Sequence, residues 1–143
     1  MPLQLVVFKR LIRVSTMTDK RILVVDNEED QLDMMKSLLG RMGYQVVLAQ
    51  DCDTALDLVA KNRFSLIITD LIMPDKDGME LCEQIKTLSP GTTIYVFSGH
   101  IDLYEPEKIK RAGFDGYLRK PIEIEQLKRE IEKVFLPTGK DQS

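Results

Sequence analysis

Two cysteines and one histidine are all that the 143 residues offer of the thiolate and imidazole ligands usual in zinc sites. Cys52 and Cys82 stand in helix-like stretches, without CxxC or Cys/His spacing. That spacing argues against a zinc site or a disulfide framework, and the two are read as buried or half-buried thiols in a reducing compartment. No stretch approaches the roughly 20 consecutive apolar residues of a membrane span. A formal charge of −3 gives no electrostatic basis for direct nucleic-acid binding. Internal repeats and low-complexity segments are also missing. What remains is a composition of 43% hydrophobic and 30% charged residues, ordinary for one globular domain. The expected location is the cytoplasm.

From about residue 20 onward, short apolar runs alternate with amphipathic segments. Arg21-Ile22-Leu23-Val24-Val25, Val46-Val47-Leu48, residues 64–69, Thr93-Ile94-Tyr95-Val96-Phe97 and Tyr117-Leu118 read as five strands. Helices are expected near 30–41, with Leu32, Met35, Leu38, Leu39 and Met42 on one face, and near 52–61, 79–88 and 106–112. The last runs over 123–136, with Ile124, Leu127, Ile131, Val134 and Phe135 turned inward. Such alternation predicts right-handed βαβ units, hence an α/β fold with a parallel sheet and helices on both faces.

Two ends fall outside this pattern. Residues 1–19 are an N-terminal extension in which Leu3-Gln4-Leu5-Val6-Val7-Phe8 is followed by Lys9, Arg10 and Arg13. It fails as a signal peptide because the apolar core is short and basic residues follow it. A basic amphipathic helix that touches a membrane or a partner is one reading. The plainer one is a misassigned start, with Met17 as the true first residue, or a loosely attached arm. Residues 20–136 form the domain, and 137–143 read as a disordered polar tail.

Polar residues collect at the carboxyl ends of the strands. Asp26-Asn27-Glu28-Glu29 follows the first, Asp70 the third, Ser98 the fourth and Lys120-Pro121 the fifth. Singly, each has a plain explanation: a helix-capping carboxylate, a turn serine, a surface lysine. In an open parallel sheet, however, these ends border one crevice. Clustered carboxylates there can bind Mg²⁺, a lysine ammonium can neutralise a phosphoryl oxygen, and a hydroxyl can donate to another. Gly99 beside Ser98 leaves room for the group to enter. Together these residues describe a phosphoryl-transfer site in which Asp70 is nucleophile, metal ligand or both.

Four segments carry a resemblance: Val24-Val25-Asp26-Asn27-Glu28, Thr69-Asp70-Leu71-Ile72-Met73-Pro74-Asp75-Lys76-Asp77-Gly78, Phe97-Ser98-Gly99 and Tyr117-Leu118-Arg119-Lys120-Pro121. In order and spacing they resemble the receiver domain of bacterial two-component response regulators, a CheY-like superfamily, over roughly residues 20–136. The resemblance implies a flavodoxin-like, doubly wound, five-stranded parallel sheet with five helices. Asp70 would accept a phosphoryl group from a histidine kinase or histidine phosphotransfer protein, and Lys120 would contact it. Ser98 and Tyr117 would be the switch residues. Asp26, Asp70 and the backbone carbonyl of Ile72 would hold Mg²⁺, and the Lys120-Pro121 bond would be cis. Phosphorylation would reshape the face around the fourth and fifth helices for a downstream partner protein. Activity would be limited to self-catalysed phosphoryl transfer and hydrolysis, so the chain is read as a signalling receiver rather than an enzyme. Because no effector domain follows residue 136, a stand-alone receiver is expected, with output through a partner protein or another phosphorelay member.

Two positions depart from the family pattern. Asn27 stands where a second acid is usual, so one negative charge is missing from the metal support, with Glu28 as a partial substitute. Pro106 suits the first turn of a helix but not its interior, so the fourth helix is expected to start late and be short, giving its border of the output face an unusual shape. His100, two residues past Ser98, either faces solvent or borders the phosphoryl group together with Ile72. Rival readings are a pseudo-receiver impaired by Asn27 and an aspartate-nucleophile phosphatase of the haloacid dehalogenase type. The latter uses Asp-x-Asp after the first strand, where Glu28 replaces the second Asp, and a cap domain is lacking. A flavin site is disfavoured because the acidic loop after the first strand would repel a phosphate.

Overall fold

β-Branched runs in this chain become strands because both faces of the sheet are covered, so nearly every strand side chain can be apolar. The computed structural model describes residues 20–136. In order the elements are β1 (Arg21–Val25), α1 (Glu29–Arg41), β2 (Gln45–Ala49), α2 (Cys52–Lys61), β3 (Leu66–Thr69), α3 (Gly78–Leu88), β4 (Thr93–Ser98), a 3₁₀ turn (Ile101–Leu103), α4 (Pro106–Ala112), β5 (Gly116–Arg119) and α5 (Ile124–Phe135). The five strands are parallel and ordered β2-β1-β3-β4-β5, the doubly wound arrangement expected from the sequence. The proposed N-terminal extension and C-terminal tail lie outside the described residues.

Successive residues of each strand point to opposite faces, and so make two cores. Leu23, Val25, Ile67, Ile94 and Val96 pack with the apolar sides of α2, α3 and α4. Ile22, Val24, Leu66, Ile68, Tyr95, Phe97 and Leu118 pack with α1 and α5. Cys52 and Cys82 are free thiols buried in the first core, and burial pushes both up to about 12, which keeps them unreactive. Pro106 occupies the first turn of the seven-residue α4, and Gly113, at φ 111°, ends it in the left-handed region open to glycine.

Two sequence expectations need correction. β3 begins at Leu66, not at 64: Phe64 leaves the ladder and is buried beneath the Arg21 guanidinium, 5.3 Å from its ring centre. Ile124 is not on the inner face of α5. It lies in the first helical turn and is 53% exposed, over a groove lined by Leu38, Met42 and Tyr44. Leu127 and Ile131 carry the buried stripe instead.

Candidate functional site

The sheet delivers two carboxylates side by side. Past the end of β1, the Asp26 amide still donates to the Ala49 carbonyl (3.1 Å), and past β3 the Asp70 amide donates to Val25 (3.0 Å). Both residues therefore continue the ladder and are held rigidly, 1% and 7% exposed. The Asp26 Oδ1 accepts from the Glu28 amide at 2.9 Å, and the Asp70 Oδ1 from the Leu71 amide at 2.7 Å. Their free oxygens face Lys120. Its Nζ lies 2.8 Å from Asp26 Oδ2, 3.1 Å from Asp70 Oδ2 and 3.5 Å from Glu28 Oε1. The lysine is itself fixed, its amide donating to the Ser98 carbonyl (3.1 Å), and the bond to Pro121 is cis.

Asp26, Glu28 and Asp70 each present a carboxylate oxygen, all within 4.8 Å of one another. Oxygens around Mg²⁺, bound at roughly 2.0–2.1 Å, stand about 3–4 Å apart, so this hard oxygen-donor set fits such an ion. Three carboxylates against one ammonium also leave a negative excess suited to a divalent cation. The electrostatics express that excess. Burial pushes the Asp26 carboxyl above its ordinary value and the Asp70 charge adds to this, while the bonds from Lys120 and the Glu28 amide only partly offset it. Burial alone would lower the Lys120 ammonium, yet its bond to Asp26 and the Asp70 and Asp26 charges outweigh that and raise it. The lysine is held charged, and Asp26 is held under tension.

The other residues singled out from the sequence occupy distinct places. Ser98 is fully buried at the end of β4, and its hydroxyl accepts from the His100 amide at 3.0 Å. Tyr117, on the edge strand opposite Val96, is 54% exposed, so the two switch candidates stand apart, one inside and one outside. Ile72 is 46% exposed in the loop after Asp70, and His100 and Asn27 face solvent. Glu28 is the N-cap residue of α1, but its side chain makes no capping bond and turns to the lysine.

Two contacts have no counterpart in the sequence reading. Asp102 in the 3₁₀ turn and Arg119 at the end of β5 form a two-pronged ion pair, at 2.8 and 2.7 Å, across the loop that follows Ser98. The Asp75 carboxylate caps a helix it does not belong to, accepting from the amides of Cys52 (3.0 Å) and Asp53 (3.2 Å) at the start of α2. Each pair joins residues from different elements, 17 and 22–23 positions apart, and no local spacing signals either one.

Comparison with known proteins agrees with this architecture. Residues 22–132 match the response regulator receiver domain family, and the chain belongs to it. Response regulator MprA of Mycobacterium sp. (strain KMS) is 35% identical over 122 residues, covering 85% of this chain and 53% of that protein. The chain thus spans about half the length of the curated relatives it matches. Among solved structures, the signal receiver domain of an HD domain-containing protein from Pseudomonas fluorescens Pf-5 superposes with a TM-score of 0.75 at 30% identity. The match covers 80% of this chain and 85% of that one. A CheY-like receiver domain protein from Methanospirillum hungatei JF-1 gives 0.74 at 30% identity, over 80% and 92%. The class is therefore a two-component signalling receiver of CheY-like, flavodoxin-type fold, a class that signals rather than catalyses turnover. Among the described residues no helix is long and apolar enough to cross a membrane.

Proposed function

We propose that this receiver takes a phosphoryl group onto Asp70 from a histidine kinase or histidine phosphotransfer protein in the cytoplasm. One observation carries the reading: the Lys120 ammonium bridges Asp26 and Asp70 at 2.8 and 3.1 Å where the sheet ends. Asp26, Glu28, Asp70 and the Ile72 carbonyl would hold Mg²⁺, with Asn27 an uncharged further donor. The bound ion would screen the phosphoryl oxygens. A carboxylate oxygen of Asp70 attacks phosphorus as the bond to the donor histidine breaks, and an acyl phosphate forms. A carboxylate nucleophile has no proton to give up, so no separate base is needed. Lys120 shifts from carboxylate to phosphoryl oxygen, offsetting the added negative charge. Slow self-catalysed hydrolysis then returns Asp70 to its carboxylate.

Ser98 and Tyr117 would carry the signal outward. The Ser98 hydroxyl, now satisfied by the His100 amide, would turn to the phosphoryl group, and Tyr117 would move inward. That movement would reshape the face around α4 and α5 for a partner protein. Asn27 favours one competing view, a pseudo-receiver that folds but responds poorly to phosphorylation. Treatment with acetyl phosphate and Mg²⁺, followed by peptide mapping, tests the proposal. The label is expected on Asp70, with a change in Tyr117 fluorescence. A label on Asp26 would indicate phosphatase-type chemistry, and no label at high Mg²⁺ would indicate a pseudo-receiver.

The missing charge at Asn27 has a measurable consequence. Asn27→Asp should tighten Mg²⁺ binding severalfold and Glu28→Gln should weaken it by a similar factor, as expected for gain and loss of one anionic donor. Calorimetric titration reads both. Affinities equal to wild type would show that neither position supports the ion.

A further inference from the structure

We infer that Asp75 is a positioning residue for the cation site: it pins the tip of the Asp70 loop to the N-terminus of α2 and so fixes Ile72 between two anchors. The inference rests on the metal site proposed above. The loop from Asp70 to Gly78 is closed at its base, where the Gly78 amide donates to the Leu71 carbonyl at 2.7 Å. Leu71 and Met73 sink into the core beside Cys52 and Ala55, at 0% and 8% exposure. Between them Ile72 is 46% exposed, so the residues on either side do most to place its main chain.

On the far side that hold is the buried Met73 and, two residues further on, Asp75. Its carboxylate accepts from Cys52 (3.0 and 3.3 Å) and Asp53 (3.2 Å), and from the next amide of its own loop, Lys76 (3.1 Å). Neighbouring contacts reinforce the clasp. The Cys52 thiol donates to the Lys76 carbonyl at 3.5 Å, and the Lys76 ammonium lies 3.1 Å from Gln84 Oε1 on α3 and 3.9 Å from Asp53. The first amides of a helix have no partner within it, and an anion there also meets the positive end of the helix dipole. α2 has a cap of its own, since Asp51 accepts from Thr54 at 2.7 Å. Asp75 therefore takes only the two amides that Asp51 leaves open, and it does so from the functional loop. Burial works to raise the Asp75 carboxyl, but those bonds together outweigh it and hold the group below its ordinary value.

This division of labour supplies its own control. Asp75→Ala and Asp51→Ala both remove an oxygen from the same helix end, but only the first releases the loop. Mg²⁺ affinity of the full chain, measured calorimetrically, is expected to fall about tenfold in Asp75→Ala, the low end of what residues supporting metal ligands contribute. Asp51→Ala, which loses its own helix cap, should stay within about twofold, and Asp75→Asn, which keeps one acceptor oxygen, should fall between wild type and alanine. Unchanged affinity in Asp75→Ala, or an equal loss in Asp51→Ala, would overturn the inference while leaving the cation site standing. A wild-type protein that binds no Mg²⁺ would overturn both.

Discussion

Alanine at position 78 should cost the protein at least about 3 kcal/mol and lower its melting temperature by about 10 °C, the upper end of overpacking effects. A Cβ built on Gly78 falls far inside contact distance of the Asp70 carbonyl oxygen and 2.8 Å from the Leu71 Cα. Both neighbours are main-chain atoms. Neither can rotate away, and both belong to Asp70, the proposed phosphoacceptor, and the residue after it. Relief must come either from α3, whose inner side holds Leu81, Cys82 and Ile85 in the core, or from the Asp70 loop. Moving α3 exposes apolar surface, whereas moving the loop shifts Asp70 against Lys120. Urea unfolding and Mg²⁺ titration of the same variant measure the two costs together. Gly40 provides the opposite sign. It lies exposed near the end of α1 with nothing within 4 Å of an added Cβ, so Gly40→Ala should stabilise by roughly 0.5–1 kcal/mol. A Gly78→Ala protein as stable as wild type would mean that the close approach of α3 to the loop is not rigid.

The same glycine shows where sequence reading reaches and where it ends. Strand and helix positions are written in periodicity, and Asp26 and Asp70 are recognisable because each follows a short run rich in β-branched residues. Lys120 is recognisable from the proline beside it and the short strand before it. The handedness of βαβ units predicts a parallel sheet covered on both faces, whereas the doubly wound strand order is implied by the family resemblance. Nothing in the spacing of Phe64 says that it leaves the ladder, because its place is set by Arg21 on a neighbouring strand. Ile124 fits the apolar stripe of α5, but whether a stripe's first member is covered depends on how far the adjacent helix reaches. Asp75, Asp102 and Arg119 are polar loop or edge residues whose partners come from other elements, so their roles exist only once the chain is folded. Glu28 is an intermediate case. Its position beside Asp26 is visible in the sequence, but that its side chain turns to Lys120 instead of capping α1 is not.

Asp26→Asn should reverse its effect on stability when Mg²⁺ is added. In the metal-free protein Asp26 is buried beside Asp70, and its folded pKa stands above the ordinary 3.8. For a carboxyl shifted in that direction, the favourable contribution is complete below pH 3.8, where the group is protonated folded or unfolded. It is lost as pH rises through the higher folded value. At neutral pH the ionised group therefore opposes folding, and a neutral asparagine should stabilise the metal-free protein by on the order of 1 kcal/mol. That advantage should shrink as the pH is taken down toward 3.8. Lys120 does not produce this trend: its raised pKa favours the fold below 10.5 and is lost only in more alkaline solution. Excess Mg²⁺ changes the balance. At a hundredfold over its dissociation constant a bound ligand adds about 2.7 kcal/mol to the folded state. Wild type collects that stabilisation, while the variant, short of one anionic donor, collects much less. Denaturation curves at pH 7 should therefore rank Asp26→Asn above wild type in a chelator and below it in Mg²⁺. An unchanged ranking would mean that Asp26 does not hold the ion, and a variant less stable in chelator would mean that the Lys120 bond outweighs the cost of burial. The expected inversion would show that the carboxylate is retained for the charge it presents to a cation, at the expense of the resting fold.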